Sequence, residues 1–479
     1  MTAPSGLARV TISAPQRRVD VALPEHVPVA ELLPEVLRHA GEGLADDGER
    51  HGGWLLRRTD GGSLAPAQGL FPQGVRDGEI LYLVPAHAQW PELEFDDVVE
   101  AIAEGARRHG AAWTATATRA ATVAGAGLLL AAGLFAVLRG GPAWDVAHYV
   151  GLGVAVLLMI AGVVASRAYG DGLAGAALGG YALPYAFAGG ALLVASGDPV
   201  GVLGPVRWLG APQVLVGSVA MLLLAVLGAV GVSAGLRVFA AGITVGLLGA
   251  CAGLLGFFLP AQGAAAILIS VLVCGIGVLP LLAIRFGKLP MPPVTLPTGA
   301  DGAAGFTAAA GGSALDAARE RPDRNQVNAA VARTEQLLTG MLIGHAVLCV
   351  AAAAVLVIAG GLAGRILVAV AAAALLLRSR LFVTTRQRIP LLLGGFGGFA
   401  ALGAGIVWNA DTGALLGVVV LGVVAALLVV VAGATYSQRP PSPYLGRTAD
   451  LLDTVIVISV VPVACAVLGL YEQVRGIGG

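Results

Sequence analysis

Lysine is almost missing from this sequence of 479 residues: Lys288 stands alone beside 28 arginines. We read that bias as one of GC-rich coding and not of mechanism. Charge of either sign is scarce, at 12% of residues, about half the share of a soluble protein. With 57% hydrophobic residues and a mean hydropathy of +0.83, the composition is that of a polytopic membrane protein. Cysteine numbers four (Cys251, Cys274, Cys349, Cys465), all inside apolar runs at unrelated spacings. That argues against a disulfide framework or a metal motif and for a buried, reduced packing role. No G-x-x-x-x-G-K-[ST] occurs, which excludes a P-loop. All 12 carboxylates beyond residue 120 are expected in loops or at helix ends. Ion-coupled transporters and intramembrane proteases need ionisable groups at mid-depth, so both classes lose ground. No cleavable signal precedes the first hydrophilic stretch, which is therefore expected to stay in the cytosol.

What charge there is, is segregated. Residues 1–120 hold 17 Asp and Glu against 11 Arg, a net of −6, and residues 121–479 compensate with +6. An acidic module is repelled by an anionic leaflet and by nucleic acid, so a protein partner is expected for it.

The hydrophilic part has the pattern of a small α+β domain. RVTISA (9–14) and RVDVAL (18–23) alternate in period two, placing Val10 and Ile12, then Val19, Val21 and Leu23, on one face. Val29, Leu32, Leu33, Val36 and Leu37 form a helical stripe behind Pro28, with Pro34 expected to distort its first turn. WLLRR (54–58) and ILYLV (80–84) read as further strands, the last released by a turn at Val75-Arg76-Asp77-Gly78. Leu81 and Leu83 then point inward and Tyr82 outward. The order ββαβ…β, closed by L-x-x-x-G-V-x-D-G-x-x-L-Y-L, resembles the ubiquitin-like β-grasp fold; another small α+β domain is the alternative. From Pro91, Glu92, Glu94, Asp96 and Asp97 followed by Arg107 and Arg108 suit a helical connector. The division is thus 1–86 module, 87–120 helical linker and 121–479 membrane domain.

Eleven apolar runs approach the length of about 20 residues that a spanning helix needs: 121–138, 148–165, 173–195, 214–233, 238–258, 264–284, 341–359, 362–377, 389–408, 414–433 and 454–470. With the N-terminus inside, 17 basic residues fall on the inner side and four (Arg139, Arg207, Arg365, Arg475) on the outer. That places the C-terminus outside, keeps the cluster Arg378, Arg380, Arg386 and Arg388 inside, and has Arg365 snorkel outward. The long connection 286–335 shares the inner side; it opens with the proline-rich KLPMPPVTLP and turns helical after Pro322.

His345, about one turn inside its run, is a packing residue or a relay. Pro184 between Tyr181 and Tyr185 marks a kink or a broken helix at a substrate site. The pairs Gly175/Gly179, Gly242/Gly246, Gly249/Gly253 and Gly394/Gly398 fit close helix packing.

A ubiquitin-like module ahead of eleven spans, with SPYLGRTADLLD (442–453) leading into the last and GLYEQVRGIGG (469–479) after it, resembles the EccD subunit of actinobacterial type VII (ESX) secretion systems. The resemblance covers essentially the whole chain. It implies a non-enzymatic inner-membrane scaffold without cofactor, paired with a second copy around a lipid-lined space. EccB, EccC and EccE would be its partner subunits, EccC the ATPase, with the module docking onto the cytosolic stalk of that motor. Asp20, Glu31, Glu35 and Tyr82 on the module, and Arg378, Arg380, Arg386 and Arg388 on the membrane part, are the candidate partner-facing residues. The competing class is a permease or flippase with a regulatory soluble domain.

Overall fold

The computed structural model describes residues 6–15, 17–41, 44, 46, 48, 52–86, 113–288, 324–438 and 443–477. The expected connector helix after Pro91 and most of the proline-rich loop lie outside the described residues. The chain divides into two compact units, Met1–Trp113 and Thr114–Gly479.

In the first unit, β1 (Leu7–Ser13), β2 (Arg18–Pro24), β3 (Trp54–Arg58) and β4 (Ile80–Pro85) form one sheet, with α1 (Val29–Ala40) between β2 and β3 in sequence. The order is β2-β1-β4-β3, with β1 and β4 parallel at the centre and antiparallel edges. This is the β-grasp arrangement. Alternation turns Val10, Ile12, Leu23, Leu56, Leu81 and Leu83 to one face, and α1 covers it with Val29, Leu32, Val36 and Ala40. Tyr82 points the other way and is exposed. Pro34 is accommodated at the cost of a loose first turn, where the Pro28 carbonyl accepts both Glu31 N–H (3.0 Å) and Leu32 N–H (3.4 Å). The remaining free donors of that turn, Val29 and Ala30 N–H, reach the carbonyls of Gln68 and Pro66.

The turn before β4 is pinned by charge. Gly74 and Gly78 adopt left-handed φ of +70° and +83°, as the turn requires. Asp77 accepts the Arg9 N–H at 2.6 Å, and Glu79 accepts from Arg58 (Nε 2.7 Å, Nη2 3.2 Å) and from Arg76 N–H at 2.8 Å. The Arg58 hydrogen bond is the main influence holding the Glu79 carboxyl below its usual range. A carboxyl lowered in the folded state stabilises fully above its unfolded value, near 4.3, and the contribution disappears as pH falls through the folded value. Glu79→Gln should therefore cost the module about 1–2 kcal/mol at pH 7 and flatten its loss of stability below about pH 4. Urea denaturation of residues 1–86 at both pH values measures this; parallel pH profiles for the two proteins would refute it.

The second unit is all helical: α2 (Ala115–Gly140), α3 (Ala147–Arg167), α4 (Gly172–Leu192), α5 (Ala211–Gly231), α6 (Leu236–Leu255), α7 (Ala261–Gly275), α8 (Leu279–Gly287), α9 (Arg324–Ala359), α10 (Gly361–Arg378), α11 (Thr385–Asn409), α12 (Thr412–Gln438), α13 (Pro443–Val467) and the short α14 (Leu470–Ile477). Among the described residues, ten segments are long and apolar enough to cross a membrane, α7 and α8 counting as one through a 3-10 turn. They match ten of the eleven expected runs. The remaining one, 173–195, is α4, which has 21 residues but is not among the ten, its apolarity diluted by glycine and two tyrosines. The count of eleven is thus approximate.

α4 packs lengthwise on α3 and α5, and α6 carries the packing on to α9. A Cβ at Gly151 of α3 would lie 2.8 Å from Gly189 Cα of α4, and one at Gly162 would lie 2.9 Å from the Gly175 carbonyl oxygen. α5 and α6 meet likewise, where a Cβ at Gly246 or Gly253 would collide with the backbone of Leu222 or Leu215 at 2.8 Å and 2.6 Å. α2 is more loosely joined. Tyr181 and Tyr185 donate from α4 to the α2 carbonyls of Val123 and Leu130, at 2.8 Å and 2.7 Å. The Pro184 segment is therefore a continuous helix with a tyrosine tether and not a broken one. α12 has no buried residue in its apolar window.

Two expectations need correction. Cys349 is buried and Cys465 intermediate, but Cys251 and Cys274 face outward; all four are free. Hydropathy does not separate a lipid-facing side chain from a protein-facing one, so burial could not be read for them. The second correction concerns Asp450 and Asp453, expected at the mouth of the last span. α13 begins at Pro443, so both lie inside the helix, two to three turns from its start.

Candidate functional site

Most of the described arginines of the membrane unit lie at one end of the bundle. Arg119 at the start of α2 pairs with Asp171, the N-cap of α4. Arg167 at the end of α3 donates to the last carbonyls of α5, Gly231 at 2.7 Å and Val230 at 2.9 Å. Gly340 of α9 abuts the Arg237 carbonyl on α6, and Gly287 at the end of α8 abuts Thr334 of α9. α11 runs parallel to α9, with Gly394 on Ala346 and Gly405 on Val357, so the α10–α11 turn lies at the same end.

That turn carries the predicted arginines. Arg378 donates through Nη1 to the Val273 carbonyl at 2.6 Å and sits with Nε 3.5 Å from Asp453 Oδ1. Arg380 pairs with Asp450, and Arg388 donates to the Phe382 carbonyl at 2.7 Å. Arg386 alone of the four is exposed without a partner among the described residues. Arg378 thus joins the end of α10 to α13, and Arg380 joins the turn after it to the same helix. Asp450 and Asp453, the partners of these arginines, are residues that sequence reasoning passed over. Their signal was present in SPYLGRTADLLD, but nothing local links it to arginines about 70 positions away. Arg365, expected to snorkel, keeps its Nε buried without a hydrogen-bond partner.

The module's candidates fall on two faces. Glu31 and Glu35 share the exposed side of α1, where Glu35 is paired with Arg38 and lies 3.4 Å from His39. Asp20 and Tyr82 lie on the uncovered face of the sheet, Asp20 accepting from Thr11 Oγ1 at 2.6 Å. The structure does not bring the four together. His345 is buried, its Nδ1 3.0 Å from the Met341 carbonyl of its own helix, the geometry of a packing residue. A cavity of about 640 Å³ opens at the basic end between the α5–α6 turn, Phe286 and α9; Arg333 is the one charged residue in its lining.

A grasp-fold module ahead of a glycine-packed, polytopic bundle defines a multi-pass membrane protein with a ubiquitin-like domain. Residues 118–477 match the family model for the EccD-like transmembrane domain, and residues 7–83 that for protein YukD of the WXG100 protein secretion system (Wss). The chain belongs to the EccD family of type VII secretion-system membrane proteins. It is 31% identical over 185 residues to the ESX-4 secretion system protein eccD4 of Mycobacterium tuberculosis, in strains CDC 1551 / Oshkosh and ATCC 25618 / H37Rv. That match spans 37% of this chain and 39% of the relative's length. Two solved structures share the fold: protomer 1 of the ESX-3 core complex (20% identity, TM-score 0.56, 98% of this chain and 100% of that one); and the MycP5-free ESX-5 inner membrane complex in State II (19%, 0.52, 91% and 100%).

The Arg378–Asp453 pair is the testable element. Their side chains are 15% and 21% exposed, so removing one partner strands a mostly covered charge. Asp453→Leu should destabilise the detergent-purified protein by roughly 1–3 kcal/mol, below the 3–5 of full burial, and Arg378→Met added to it should restore most of the loss. Thermal unfolding of the two single variants and the double decides; a loss in the double equal to the sum of the single losses would mean that the two residues act independently.

Proposed function

We propose that this chain is a non-enzymatic scaffold subunit of a type VII (ESX) inner-membrane secretion complex, with residues 1–86 docking the cytosolic ATPase subunit. The partners in this reading are EccB-, EccC- and EccE-type subunits, a second copy of the chain and surrounding lipid. One observation carries it: most of the described arginines, with their Asp450 and Asp453 partners, lie at one end of the bundle, while both membrane cores are apolar and closed by glycine contacts. A bundle built that way presents a charged platform and no relay. The basic end, including Arg167, Arg237, Arg285, Arg378, Arg380, Arg386, Arg388 and Arg447, is the cytosolic one by the positive-inside bias, with the Gly479 end outside.

Cysteine labelling on a background free of the four native cysteines tests the topology. A cysteine at Ala300 should resist an impermeant maleimide in intact cells and one at Gly479 should react; the reverse pattern sinks the orientation. Deleting residues 1–86 should leave the helices inserted, because they satisfy their own backbone hydrogen bonds in lipid, while recovery of the ATPase subunit with the complex falls. Unchanged recovery and secretion would remove the docking role.

A further inference from the structure

We propose that the open face of the module's sheet is the docking surface, and that it receives an acidic protein segment carrying an apolar anchor. This rests on the docking role above and names its face and its partner's chemistry.

The strand register places four residues in one row across the uncovered face: Arg18 of β2 opposite Ser13 of β1, Ser13 opposite Tyr82 of β4, and Tyr82 opposite Arg57 of β3. With neighbouring strands about 4.8 Å apart, the two arginines stand roughly 14 Å from each other with the tyrosine ring between them. Leu55, Ile80 and Val84 are half-buried around Tyr82, which is itself 38% exposed, and Arg9 continues the same face along β1. Among the described residues none of Arg9, Arg18 and Arg57 makes an ion pair. The one carboxylate among the described strand residues of this face, Asp20, is engaged by the Thr11 hydroxyl at 2.6 Å. On α1 the balance is opposite, since Glu35 already has Arg38 and His39 beside it.

The module's net negative charge therefore misleads about its docking side. The acids of the helix face are partly compensated internally, whereas the sheet face keeps three guanidinium groups without an ion pair among the described residues, around an apolar centre. Tyrosine flanked by arginine is the composition of an interface hot spot, and arginine pairs carboxylates bidentately. An anionic leaflet is the weaker occupant: three arginines fall short of the clusters of about four to eight that hold a protein to one, and the surrounding charge is acidic.

The test uses the full-length chain in cells, with a benzoylphenylalanine photocrosslinker at Tyr82 and, separately, at Glu31. Crosslinks from position 82 should map by mass spectrometry to a protein segment rich in Asp and Glu. Arg18→Glu with Arg57→Glu should cut their yield at least tenfold, Arg18→Lys with Arg57→Lys should retain most of it, and Glu31→Lys with Glu35→Lys should leave it within twofold. Circular dichroism of each variant module checks that it stays folded. Crosslinks into a neutral or basic segment, into lipid alone, or undiminished by the Glu variants would overturn the proposal. If deletion of residues 1–86 abolishes ATPase recovery while the Arg→Glu pair leaves it intact, docking stands and this face is wrong. If both leave it intact, the docking role itself fails.

Discussion

In lipid, one apolar helix gains nothing by leaving hydrocarbon for another, so helices associate only where their surfaces fit closely enough for dispersion to add up. The contacts between α3, α4, α5 and α6 depend on this constraint. Gly151 on Gly189 and Gly162 on Gly175 bring two backbones to a separation that forbids any Cβ. The rest of the membrane unit follows from it. Because α4 is held on both sides by such contacts, it has no need of a strongly apolar surface, and can present Tyr181 and Tyr185 to α2 instead. α2 and α12, with little close packing, carry large exposed apolar side chains, as does the outer face of α11.

Charge adds to packing at one end of the bundle. α13 is fastened to α10 by Arg378–Asp453 and Arg380–Asp450, and α3 to α5 by Arg167 on terminal carbonyls. These bonds sit toward one end of the bundle, so that end is knit by polar contacts while the interior is knit by shape. In the small module the same division recurs at another scale: a core of leucine, valine and isoleucine, with Asp77 and Glu79 fixing the one irregular turn that β4 requires.

Much of this was legible in the sequence. Period-two alternation located the four strands within two residues, and Leu81, Tyr82 and Leu83 face as that pattern demands. Hydropathy located ten spans; the eleventh run, 173–195, is a helix, α4, but falls short of the apolarity of the others. What it missed is instructive. Asp450 and Asp453 were placed at a helix mouth because a run of apolar residues marks where lipid begins, not where the helix does. Arg378 looked available to a partner because its carboxylate lies on a helix that only tertiary structure brings near. Cys251 and Cys274 were assigned to the interior because water-based scales score lipid and protein interior alike.

α9 has a mechanical property of its own. Its 36 residues form one unbroken helix, about 54 Å at 1.5 Å per residue, against a hydrocarbon thickness near 30 Å. About two dozen ångströms of rigid rod therefore extend past the apolar layer on the basic side, continuous with the segment that α6 and α11 grip. A rod of that reach is a lever: a tilt of about 10° at the gripped portion swings its far tip by roughly 4 Å. Displacement at the aqueous end and rotation within the bundle are then the same motion, and a force applied to one is delivered to the other without a hinge to absorb it.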